Sequence, residues 1–266
     1  MENTKYMRLL KIKEMDPIDL ISLEESLFEL RTKDLIPDTI VISEHKKFLY
    51  LCTTTSINCV DLDYGKSCGY PIVRSAILPG GLSSVIVVGT GFSFLIVVKK
   101  SNYNIESKID FMNKFYFDIF QSLMSGVEME IKGNDFVVKD TERKMMGVAT
   151  WQNEEYILGN HAFLNTLPTD INLDLLYKLP ESKTFDKILK LPSERMTSYE
   201  KETNKVFSYD DIFNGVINYL ESQSIDCEIG EDFLQIEKDM ANGLKEKHLS
   251  DEWIKYGQIY AKPDFI

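Results

Sequence analysis

The sequence is short of the residues that build special frameworks. Four cysteines, Cys52, Cys59, Cys68 and Cys227, stand among 266 residues, far too thinly for a disulfide-stapled domain. The first three lie seven and nine residues apart with no CxxC pair, and no histidine is spaced to complete a zinc site. Reduced thiols in a cytoplasmic protein are the expectation. Eight prolines and 14 glycines exclude a linker-rich or low-complexity chain. The most apolar run, residues 85–98, is broken by Gly89 and Gly91 and falls short of the ~20 residues that span a bilayer. The opening MENTKYMRLLKIKEM is charged and has no apolar centre, so no signal segment is expected. Positive charge is also scarce: 30 Lys and Arg against 42 Asp and Glu, a net charge of -12. That balance argues against nucleic acid or an anionic membrane as the main partner.

What is present is the composition of a globular domain, 44% hydrophobic and 27% charged. Residues 6–13 alternate as an opening strand. Asp16-Pro17 starts a helix in which Leu20, Leu23, Leu27 and Leu30 recur at helical spacing. Residues 38–54 read as a hairpin, two apolar strands around a charged EHKK turn. A strand then runs into Pro79-Gly80-Gly81, and residues 84–98 form one long strand or a buried pair. Ile105, Ile109, Met112, Tyr116, Ile119 and Leu123 step by three and four, which predicts a helix with that stripe buried. Four short strands follow (VEMEIK, DFVVKD, KMMGVATW, EYIL), then a helix near Leu173. The polar stretch 180–205 reads as a crossing. Beyond it Ser208 is placed to cap a helix carrying Ile212, Phe213 and Val216, and a second helix carries Phe233 and Met240. Strands and helices mix without βαβ alternation, so the fold class is α+β.

Few residues look chemical. Lys144 opens an apolar strand, where it is either a surface lysine or a cation projected into a cleft to meet a carboxylate or phosphate. Gly147 would admit a ligand close to the backbone. Asn134-Asp135 makes a turn at a strand junction. Gly80-Gly81 is a turn or a pair of N–H groups facing an anion. His161, among apolar neighbours, reads as a hydrogen-bonded core group, whereas His45 and His248 read as surface residues. There is no Walker loop, GxSxG elbow, HExxH or EF-hand. The GTG at 89–91 lacks the third glycine of a dinucleotide fingerprint.

Taken in order, these pieces resemble the lipoate–protein ligase family of the biotin and lipoate ligase superfamily. LISLEESL, Leu20 to Leu27, is similar to its first helix. GNDFVVKDTERKMMGVA, residues 133–149, is similar to its central G-R-N-D…K-[IV]-S-G-x-A signature. His161-Ala162-Phe163-Leu164 looks like its histidine strand, Leu173-Asp174-Leu175-Leu176 like its D-L-x-x-L helix, and residues 247–253, KHLSDEW, like its C-terminal segment. The chain departs where the family has R-R-x-[ST]-G-G-G and H-x-D-L-G-N. Here Arg74, Gly80, Gly81 and Gly89 are what remain.

The resemblance implies mostly antiparallel sheets with flanking helices, the catalytic fold related to class II aminoacyl-tRNA synthetases. It implies that residues 1–200 are a catalytic domain and 201–266 a helical extension packed on it. The implied activity uses ATP and Mg2+ to activate lipoate, or octanoate, as an acyl-adenylate. The acyl group then passes to a lysine of a lipoyl domain or of a glycine-cleavage H-protein-like acceptor. Lys144 matches the catalytic lysine. Arg74, Gly80, Gly81, Gly89, Asn134, Asp135, Gly147, Ala149 and His161 match substrate or adenylate positions, with Asp135 also on the metal side. No cysteine follows Lys144 near the acyl site, which favours direct ligation over a thioester route. The altered glycine loop leaves an inactive homologue acting as a binding subunit, or a transferase between carrier proteins, as alternatives. An acidic acceptor would ask for a basic rim from Lys99, Lys100, Lys108, Arg143 and Lys144.

Overall fold

The computed structural model describes residues 5–45, 47–80, 85–88, 90–133, 135–178 and 191–257. In chain order these form β1 (Lys5–Met15), α1 (Pro17–Thr32), β2 (Thr39–His45), β3 (Phe48–Leu51), α2 (Leu62–Ser67), β4 (Ile72–Arg74), β5 (Val85–Val88) and β6 (Thr90–Lys99). Next come α3 (Lys108–Phe111), a π-helical stretch (Met112–Phe117) and α4 (Asp118–Leu123), contiguous as one rod. Strands β7 (Met129–Lys132), β8 (Asp135–Val138), β9 (Lys144–Gln152) and β10 (Tyr156–Thr166) follow. The chain closes with α5 (Leu173–Leu176), α6 (Pro192–Arg195), α7 (Tyr199–Thr203), α8 (Tyr209–Ser222), β11 (Ile225–Gly230), α9 (Gln235–Leu249) and α10 (Asp251–Tyr256).

Eight strands form the main sheet in the order β11-β1-β2-β6-β10-β9-β8-β7, and β4-β3-β5 form a small second sheet. Pairing in the main sheet is antiparallel from β2 to β7 and parallel for β11-β1-β2. This is the α+β, mostly antiparallel architecture expected. Strand alternation sends the two faces of the main sheet to different cores. Phe92, Phe94, Phe136, Met146, Val148 and Phe163 face the 108–123 rod and α8. Leu95, Val97, Ala149 and Leu158 face α1 and the small sheet. Helix α1 starts where the Asp16 carboxylate accepts the Ile18 N–H at 3.0 Å. It is buried nearly all round, because β4 and β6 lie against it as well as α9.

Four sequence expectations change. The 38–54 hairpin does not form: β2 joins the main sheet and β3 the small one, and β5 and β6 part in the same way. Alternation and a charged turn mark a chain reversal but carry no information on which sheet the second strand joins. Ile109 is not buried but 69% exposed. The π-helical stretch adds a residue to the turn, so the inward stripe becomes Phe111, Phe115, Tyr116, Ile119 and Phe120. Part of the crossing at 180–205 is helical, in α6 and α7. The C-terminal segment, read as helical, holds β11, which pairs in parallel with β1 from Lys5–Ile225 to Leu10–Gly230. Ser208 caps α8 as expected, accepting the Asp211 N–H at 3.2 Å.

Candidate functional site

The site begins at an irregularity in the β8–β9 ladder. Asp135 stands opposite Gly147 and Phe136 opposite Met146, but Val137 stands opposite Lys144, so Met145 is an extra residue. A bulge of this kind re-aims the side chain beside it. In strict alternation Lys144 would follow Met146 and Val148 into the aromatic core. With the bulge it shares the face of Gly147 and Asp135. Its ammonium lies 2.7 Å from Asp135 Oδ1, and a Cβ on Gly147 would meet Lys144 Nζ at 2.9 Å and Cε at 3.0 Å. The backbone is fixed too, the Lys144 carbonyl accepting the Thr197 N–H at 2.9 Å. Both partners of the ion pair are about two-fifths exposed, so the pair is worth only ~0–1 kcal/mol and an arriving anion can displace Asp135 at little cost.

Ala149 lies on the same face, and its antiparallel neighbour on β10 is Asn160. Asn160 is buried and donates from Nδ2 to Glu24 Oε2 at 2.9 Å. Glu24, on α1, also accepts from Tyr50 Oη at 2.7 Å and from the Ser75 hydroxyl. Burial pushes its carboxyl up to about 7 despite these hydrogen bonds. Ser75 Oγ accepts the N–H groups of Ile77 and Leu78, and Gly80 N–H donates to Thr54 Oγ1 at 3.0 Å. The turn leading to Gly80 is thereby tied to the strand end at Cys52–Thr55. Cys52 is within electrostatic reach of Lys144 and Arg74. Burial, reinforced by Glu24, pushes its thiol up to about 12, so it stays protonated and is no nucleophile at neutral pH.

The other expected residues fall elsewhere. Arg74 is 1% exposed. Its Nε donates to the Ile254 carbonyl at 2.7 Å, and Nη1 to the carbonyls of Cys52 at 2.9 Å, Thr55 at 3.0 Å and Thr53 at 3.3 Å. It clamps α10 to the small sheet, and Trp253 Nε1 returns a bond to the Arg74 carbonyl at 3.0 Å. His161 is opposite Val148, on the face away from Lys144. It is fully buried between Tyr116, Phe120 and Phe136. Neither ring nitrogen has a hydrogen-bond partner among the described residues. Burial first, and the Lys144 charge second, pull its pKa down to about 3, so the ring is neutral. Gly81, Gly89 and Asn134 lie outside the described residues. His248, read as a surface residue, is fully buried and meets Glu25 at 2.9 Å.

Sequence reasoning missed Asn160 and Glu24. One residue of strand register separates Asn160 from His161 and sends them to opposite faces, so a histidine drew the attention its neighbour warranted. Glu24 sits inside the LISLEESL motif, but its burial depends on Tyr50, Ser75 and Asn160 meeting it from distant parts of the chain. The basic rim is also absent as one feature. Lys99 stands beyond the Gln152 end of β9, roughly 26 Å from Lys144 at strand rise, and is paired with Asp34 and Glu155.

The layered sheet and its covering helices have the fold of solved lipoate–protein ligases. An archaeal enzyme from Thermoplasma acidophilum, described as a bi-partite lipoate protein ligase studied with its E2 lipoyl domain, superposes with a TM-score of 0.72 at 22% identity, over 96% of this chain and 98% of that one. A lipoate-protein ligase A bound with ATP matches with a TM-score of 0.69 at 20% identity, over 95% and 99% of the two chains. LipL1 of P. falciparum in complex with lipoate matches with a TM-score of 0.66 at 17% identity, over 94% of this chain and 74% of that one. No protein-family model and no curated protein matches the sequence.

Proposed function

We propose that the chain is a lipoate–protein ligase-like enzyme. In the first step the carboxylate of lipoate or octanoate attacks the α-phosphate of ATP, pyrophosphate leaves and an acyl-adenylate remains. In the second an acceptor lysine amine attacks the acyl carbonyl, AMP leaves and an amide forms. Lys144 is the group that carries this reading. A cation on a rigid strand, over a glycine that lets it approach the backbone, neutralises charge growing on the phosphate and carbonyl oxygens. Asp135 holds the ammonium in place until substrate arrives. Mg2+ bound with nucleotide needs only one or two protein carboxylates. Asp135 would hold such an ion beside the nucleotide, where it would neutralise phosphate charge. The acceptor is a lipoyl domain or a glycine-cleavage H-protein-like protein.

The test is incubation with ATP, Mg2+, lipoate and an apo lipoyl domain. The acceptor is expected to gain one lipoyl mass, and Lys144→Ala to abolish the gain while retaining its fold by circular dichroism. Absence of both acylation and lipoate-dependent pyrophosphate release sinks the reading.

A second reading, an inactive homologue serving as a binding subunit, draws support from Arg74. Its Nε and Nη1 are committed to backbone carbonyls and the whole group is buried, which keeps it from a phosphate in solution. Calorimetry separates the two readings, since tight ATP binding counts against the inactive homologue. Transfer of acyl groups between carrier proteins is the third possibility, and it is recognised by acylation without nucleotide.

A further inference from the structure

The cluster around Glu24 has no part in the chemistry above. It joins a helix and both sheets: Glu24 on α1, Tyr50 on β3 with Ser75 just beyond β4, and Asn160 on β10. The carboxylate is 1% exposed, and no cationic nitrogen reaches it among the described residues. All three neighbours donate to it. Asn160 is fixed in that sense, because its amide oxygen already accepts from Ser93 Oγ at 2.7 Å and from the His161 N–H at 2.8 Å. Ser75 is committed on the other side, its oxygen accepting from Ile77 N–H at 3.1 Å and Leu78 N–H at 2.9 Å.

We propose that Glu24 is a positioning residue of the candidate site. Its carboxylate accepts the hydrogen bond of the Ser75 hydroxyl, which leaves both Ser75 lone pairs to hold the Ile77–Leu78 turn and so fixes the approach to Gly80 on the Lys144 face of the sheet. The proposal rests on the ligase reading only for what the turn serves.

The bonding has one direction that works. A proton on Glu24 cannot point at the Asn160 NH2 that faces it, which has no lone pair to accept with, so it points at a hydroxyl. Ser75 is the hydroxyl with somewhere else to turn, since the Tyr50 oxygen is also within its reach. Ser75 would then accept from Glu24 as well as from two backbone N–H groups, one more than its lone pairs serve, and the turn loosens. Glu24→Gln builds that state permanently. The glutamine oxygen must face Asn160 and Tyr50, which puts its NH2 against Ser75. Burial holds the wild-type carboxyl near neutrality, so both states are reached in solution. The titratable groups within electrostatic reach are Glu25 on the same helix, Tyr50 and Cys52 beside the small sheet, and Tyr116 in the π-helical stretch.

The experiment is amide hydrogen exchange on the full chain, corrected for intrinsic rates, from pH 6 to 8.5. It compares wild type, Glu24→Gln, Ser75→Ala and the double variant. At pH 8.5 exchange at Ile77 and Leu78 should rise about tenfold in each single variant and no further in the double. Wild type should approach the Glu24→Gln rate as pH falls through about 7, while Glu24→Gln stays flat. Tyr50→Phe removes a different donor to Glu24 and should leave these two amides protected at pH 8.5. If acylation is found, its kcat/KM should show the same acid limb in wild type and lose it in Glu24→Gln. Wild-type protection that is flat with pH, or single-variant effects that add, overturns the proposal. Coupled exchange in a protein without ligase activity overturns the functional reading and leaves this one standing.

Discussion

Lys144 lies directly over Gly147, its terminal carbon and nitrogen within 3.0 Å of where a Cβ would be. A methyl group there pushes aside only the far end of a flexible side chain. Gly147→Ala is therefore expected to melt within a few degrees of wild type yet lose at least about tenfold in acyl-adenylate formation, equivalent to ~1.4 kcal/mol. Pyrophosphate release beside a thermal melt checks both halves. Full activity in the variant would show that the position of Lys144 is not critical.

Glu25 ties α1 to α9. Burial alone would raise its carboxyl, but hydrogen bonds from His248 and from Lys247, whose ammonium is 2.6 Å from each carboxylate oxygen, outweigh burial and hold it below the ordinary value of 4.5. A depressed carboxyl adds stability that is present above its unfolded value and lost as pH falls through the folded one. Wild type should thus lose melting temperature below about pH 4.5, and Glu25→Gln should show a shallower loss. At pH 7 that variant forfeits charge-assisted bonds worth about 2 kcal/mol, or roughly 4–8 °C. Calorimetry of both proteins from pH 3 to 7 checks the slope.

Arg74 stabilises the C-terminal helix through carbonyls rather than a carboxylate. Arg74→Met keeps the apolar stem but removes the donors to the carbonyls of Ile254, Thr53 and Thr55, and one of the two donors to that of Cys52. The expected cost is about 3 kcal/mol, seen as a melting point lower by roughly 6–12 °C and faster amide exchange in α10. A variant as stable as wild type would return Arg74 to the list of ligand-binding candidates.

The rod with the π-helical stretch makes opposite forecasts for two residues six positions apart. Phe115 is 2% exposed and Ile109 69%. Phe115→Ala should cost about 3–5 kcal/mol and Ile109→Ala within about 0.5 kcal/mol. Urea unfolding of the pair reads the phase of the helix directly, since a regular helix with Ile109 on its inward stripe would make Ile109→Ala costly too.

That helix shows where the sequence was legible and where it was not. Its existence follows from apolar spacing, and so do β1, α1, the run from β7 to β10, and the Ser208 cap. Its inward face does not, because one extra residue in a turn shifts the phase without changing composition. The bulge at Met145 has the same character. Lys144 stands out as a candidate through its motif, but its place over Gly147 comes from a residue that a periodicity count treats as ordinary. Long-range partners were illegible for another reason. Glu24 becomes a buried acid only because β3, β4 and β10 converge on α1, and no local pattern announces that meeting.

The pairing of β1 with β11 sets an order for the birth of the molecule. Tyr6 and its hydrogen-bond partner Glu228 are 222 residues apart, so at ribosomal rates of about 5–20 residues per second the outer edge of β1 waits roughly 10–45 seconds for its neighbour. Throughout that interval a nascent chain carries an open strand edge able to pair with the same strand of another nascent chain. Truncating the chain before Ile225 should leave that edge of β1 open and raise the fraction that aggregates, because β11 is the strand that covers it from Lys5 to Leu10.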